Sequence, residues 1–220
     1  MKRKLIGLVA AVAASLVMAT GVSAESAEPK YGGTLKYASH NTTSTPGYTP
    51  DNSNNASLIF LNTAYESLTY YDESGAIIPR LATEWTTDPE EPSITWTLRE
   101  GVQFADGTDF NAEAVKVNIE EYQKCSRNET ANVASVEVID DYTVKMILNS
   151  WNSSTLESVG FFVYYMSPAA LEDVDSLRNS SCGTGAFQVS EFNPGVSVKY
   201  TKNENYWQEG KPYLDGVEIY

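Results

Sequence analysis

A chain of 220 residues with 29 acidic and 15 basic side chains carries a formal net charge of −14. That balance argues against nucleic acid as a partner, because phosphate backbones are held by basic patches. With 14 Tyr, 7 Phe and 4 Trp the chain can bury a substantial core in one or two domains, so disorder is not the default reading.

In chain order, Lys2, Arg3 and Lys4 precede the apolar run Leu5 to Met18, and small residues end at Val22-Ser23-Ala24. This pattern predicts a secretory signal peptide over residues 1–24, cut after Ala24. The run is shorter than the ~20 residues of a membrane-spanning helix, so the chain is expected to be exported and soluble, in the periplasm or outside the cell. No cysteine lies near the cut, so no acylated anchor is expected. The cut removes three basic residues and no acidic ones, which takes the net charge to −17. An acidic surface of that kind serves solubility or draws cationic ligands. Residues 25–32 read as a flexible leader, and residues 33–220 as the folded part.

Thr34 to Ser39 alternates after Gly32-Gly33 and predicts a strand; the polar loop Asn41 to Asn55 follows. Ser57 to Tyr65 has helical spacing, and Leu68 to Tyr71 returns as a strand before the turn Asp72-Glu73-Ser74-Gly75. Ile94, Trp96 and Leu98 share one face of a strand. Asn111 stands where a helix cap belongs, ahead of Ala112 to Lys124 with its stripe Ala114, Val115, Ile119 and Tyr122. Val133 to Ile139 and Thr143 to Leu148 flank Asp140-Asp141-Tyr142 as a hairpin. Ser167-Pro168 opens a short helix at Ala169-Ala170-Leu171. Ala186 to Phe192 and Val196 to Thr201 are strands around Asn193-Pro194-Gly195, and Val217 to Tyr220 alternates like a strand that begins as the chain stops. Short alternating strands with a few helices predict an α+β or mixed α/β fold.

Catalytic constellations are missing from the sequence. Nucleophilic catalysis of the Ser-His-acid kind needs a base beside the nucleophile, and the one histidine, His40, sits in a polar loop as a solvated or pocket-lining residue. One His and two distant Cys do not supply a zinc site, and adjacent Asp140-Asp141 on a strand would face opposite ways. Gly183-Thr184-Gly185 lacks the later glycine or lysine of a phosphate loop and reads as a glycine-rich lead into a strand. Cys125 and Cys182, in an exported chain, allow one disulfide or two free thiols. No enzyme activity, cofactor or metal is expected.

The order of the motifs is more specific than any one of them. Gly32-Gly33-Thr34-Leu35, Tyr65-Glu66-Ser67-Leu68, Ile78-Pro79-Arg80-Leu81-Ala82, Trp96-Thr97-Leu98-Arg99-Glu100-Gly101 and Asp106-Gly107 come first. Asn111-Ala112-Glu113-Ala114-Val115, Gly183-Thr184-Gly185-Ala186-Phe187, Asn205-Tyr206-Trp207 and Lys211-Pro212-Tyr213-Leu214-Asp215-Gly216-Val217 follow. This series resembles the solute-binding proteins of ABC importers, family 5, the dipeptide, oligopeptide and nickel class. Two positions depart from the family's pattern, Ala186 where a proline is usual and Ala114 where a carboxylate is usual. In physical terms the blocks read as scaffold: Asp106-Gly107 as a tight turn, and Tyr206, Trp207 and Tyr213 as aromatic area packed under the Pro212 turn.

The resemblance implies a lobe of the type II periplasmic-binding-protein fold, here the N-terminal part of a two-lobed protein more than twice as long. Its function would be to capture a small solute, a peptide or a nickel chelate, outside the inner membrane and to deliver it to an ABC permease, as a monomer. Its ligand contacts would come from loops at the ends of the early elements: Thr45 and Tyr48, then Asn128, then Trp151 and Asn152. The alternative is a stand-alone secreted structural or adhesion module derived from such a lobe.

Overall fold

The computed structural model describes residues 29–52 and 57–220. The signal segment 1–24, leader residues 25–28 and the stretch 53–56 lie outside the described residues. In chain order the elements are β1 (Thr34–Tyr37), α1 (Leu58–Ala64), β2 (Thr69–Tyr71), β3 (Ile77–Pro79), β4 (Ala82–Asp88), β5 (Ser93–Leu98) and α2 (Ala112–Lys124). They continue with β6 (Val133–Asp140), β7 (Thr143–Leu148), α3 (Ser154–Phe161), α4 (Val174–Leu177), β8 (Phe187–Asn193), β9 (Ser197–Lys202) and β10 (Gly216–Ile219). Short 3-10 helices occupy Thr49–Asp51, Asn128–Thr130 and Ala170–Asp173.

Alternation builds two four-stranded sheets. In the antiparallel sheet β4-β5-β7-β6, strand β5 buries Ile94, Trp96 and Leu98, and β7 buries Val144, Met146 and Leu148. Helix α2 covers β6 and β7 with Ala114, Val115, Ile119 and Tyr122. Its start is fixed as the sequence predicts, since Asn111 Oδ1 accepts from Ala114 N at 2.9 Å. Buried Asn118 ties the helix to the 163–167 segment, donating to Met166 O at 2.8 Å and accepting from Met166 N at 2.9 Å. After Ser167-Pro168 the chain forms the 3-10 turn Ala170–Asp173 and then α4, in place of one short helix at Ala169.

The other sheet, β1-β10-β9-β8, answers the question of the strand at the chain's end. Strand β10 lies inside it, parallel to β1 and antiparallel to β9. Its N–H and C=O groups are therefore paired on both edges. The register sets Tyr37, Ile219, Val198 and Phe192 across one face and Lys36, Glu218, Lys199 and Glu191 across the other. The second row pairs as Lys36–Glu218 at 3.2 Å and Lys199–Glu191 at 2.8 Å. One face is thus apolar and the other a neutralised charge ladder.

A buried carboxylate joins the parts. Glu66, 1 % exposed, accepts four hydrogen bonds and makes a further ion-pair contact with Arg80. Arg80 Nε and Nη2 reach Oε1 at 2.9 and 2.8 Å, with Tyr206 Oη at 3.1 Å; Thr184 Oγ1 and Trp207 Nε1 reach Oε2 at 2.9 and 2.8 Å. Arg99 stacks 4.5 Å from the Trp207 ring and donates to Arg80 O. Tyr206 and Trp207 therefore serve this carboxylate rather than the Pro212 turn, while Tyr213 stays half exposed, edge-on to Tyr31.

The Cys125–Cys182 disulfide allowed by the sequence is not formed; both thiols are free. Cys125 is exposed at the end of α2 with its Sγ 3.1 Å from Tyr48 Oη. Cys182 is buried where its backbone meets Tyr65 Oη and Ser167 N, and burial with the nearby Asp106 charge pushes its thiol up to about 12. The two sulfurs thus have different neighbours on different elements.

Candidate functional site

The loop after β1 is held against the end of β10 by main-chain bonds from Ser39 N to Tyr220 O at 2.7 Å and from Tyr220 N to Tyr37 O at 2.9 Å. Within the loop, Asn41 N donates to Ser39 Oγ, and Thr43 Oγ1 donates to Thr45 O at 2.6 Å. Across from it, the β8–β9 turn closes with Val196 N on Asn193 O, Gly195 taking φ +72° as a turn of this kind requires.

Between these two turns lies a shallow groove of about 10 Å³, room for a single water. Phe60, Phe192, Val198 and Ile219 form its apolar floor, and Asn41, Thr42, Asn193, Ser197 and Tyr220 stand around it. Asn193 Nδ2 is engaged with Glu191 Oε1 at 2.7 Å, and the Tyr220 hydroxyl donates to Glu218. Among the described residues no Asp, Glu, Lys, Arg, His or Cys lines the groove. Such a lining binds through shape, dispersion and neutral hydrogen bonds, and offers neither a general base nor a metal donor.

The sequence pointed to the loop after the first strand but to other residues in it. Thr45 is buried, its Oγ1 accepting from Tyr48 N and its carbonyl from Thr43 and Asn52. Tyr48 is 3 % exposed, and its hydroxyl donates to Glu121 Oε1 at 2.6 Å under the Arg178 guanidinium. Burial, then the bonds to Cys125 and Glu121, push that hydroxyl far above the ordinary tyrosine range. Exposed Asn128 opens a 3-10 turn packed on α3, beside the Arg127–Glu129 pair at 2.6 Å. Trp151 is half buried, and exposed Asn152 accepts from Ser154 N at 3.0 Å, turning the chain into α3. None of these five lines the groove. The groove residues did carry a signal, since alternation in β8, β9 and β10 sets Phe192, Val198 and Ile219 on one face. His40 is exposed in the same loop.

Comparison with known proteins gives consistent results. Residues 76–220 match the model of the bacterial extracellular solute-binding proteins, family 5 Middle. The glutathione-binding protein GsiB of Salmonella typhi is 34% identical over 160 residues, which is 70% of this chain and 31% of that relative. An ABC transporter substrate-binding protein from Sinorhizobium meliloti superposes with a TM-score of 0.71 at 27% identity, covering 85% of this chain and 39% of that one. The oligopeptide-binding protein AppA of Bacillus subtilis, solved with a nonapeptide, superposes with a TM-score of 0.76 at 24% identity, covering 87% and 40%. These neighbours are type II periplasmic binding proteins, and the mixed α/β fold described above is theirs. The chain spans about a third of the length of the curated relatives it matches.

Proposed function

The chain belongs to the bacterial extracellular solute-binding proteins of family 5, and on that premise we propose that it serves the substrate-binding component of an ABC importer. In this reading it is exported by its signal segment and works as a monomer in the periplasm or outside the cell. There it captures a small solute, a peptide, and delivers it to a membrane permease. The observation that carries the reading is the uncharged groove at the loop after β1, between the β8–β9 turn and the end of β10. An open groove on one face holds a solute weakly. Tight capture then needs further surface that closes over the solute and selects the closed state. Among the described residues no helix is long and apolar enough to cross a membrane, so the permease is a separate partner in this reading.

The test is solution NMR on the isotope-labelled chain, titrated to millimolar concentrations with dipeptides, glutathione and nickel–histidine. Fast-exchange shifts confined to Asn41–Thr43, Asn193–Val198 and Tyr220 for at least one solute class are the expected outcome. Shifts that gather instead around Asn128, Trp151 and Asn152 would move the site to the other sheet, and a folded chain unaffected by every solute would remove the groove from the reading.

A further inference from the structure

We draw no further inference here: the strongest candidate, the outer edge of strand β1, where Leu35 and Tyr37 stand exposed beside the Tyr31–Tyr213 pair at the end of its sheet, carries nothing because nothing in the structure shows what covers it.

Discussion

Asp106 shows how a surface carboxylate can matter to stability. Burial raises its pKa, but hydrogen bonds from Ser167 and from the Thr108 hydroxyl and amide outweigh that and hold it below the ordinary value. A depressed folded-state pKa means that the contribution is present above the unfolded value of about 3.9 and is lost as pH falls through the lower folded value. Asp106→Asn should therefore cost on the order of 1 kcal/mol near neutral pH. The gap to the parent should begin to narrow below about pH 4 and close only as pH falls past the depressed folded-state value. Urea titrations at both pH values check this, and a gap that widens in acid would contradict the assignment. The Asp106-Gly107 turn was readable, since Gly107 takes φ +82°; the Ser167 contact, 61 positions away, was not.

At the scale of elements, periodic signals worked where one face is buried. Strands β5 and β7, the hairpin between β6 and β7, and the capped helix α2 follow from alternation, Asp140-Asp141-Tyr142 and Asn111. Strand β4 gave no such signal because it is a sheet edge with Ala82 buried and much of the rest exposed, anchored by Trp85 against Trp96 at 5.8 Å between ring centres. Helix α3 was missed because its buried residues, Thr155, Val159 and Gly160, include one polar residue and one glycine. Gly183-Thr184-Gly185 does lead into a strand, and the reason for glycine is tertiary. A Cβ on Gly183 would lie 2.2 Å from Ala64 O and 2.4 Å from the Tyr65 ring. Backbone on one side and a fully buried ring on the other leave nothing to yield, so Gly183→Ala should destabilise by about 1–3 kcal/mol. Thermal unfolding measures it, and a neutral result would mean that the α1 end moves freely against this segment.

For the whole molecule, Glu66 gathers donors from the β3–β4 junction, the Gly-Thr-Gly segment and the Asn205-Tyr206-Trp207 stretch. Removing one side of a buried ion pair leaves the other uncompensated, so Glu66→Ala should cost about 3 kcal/mol or more. Loss of a single cooperative urea transition, or a midpoint drop of that size, is the expected result; a change under about 1 kcal/mol would reduce Glu66 to one contact among many. The sequence by itself determined the mixed α/β class, most strands, the α2 cap and the ordered motif series that marks the family. Each of these is written in neighbours a few positions apart or in the order of short blocks. Only the tertiary structure decided that four of those blocks meet at one carboxylate, that both cysteines stay free, and that the groove lies at Asn41–Thr43 rather than Thr45 and Tyr48. Such contacts join residues as far apart as the 141 positions between Glu66 and Trp207, and a pairing at that range leaves no local periodicity to read.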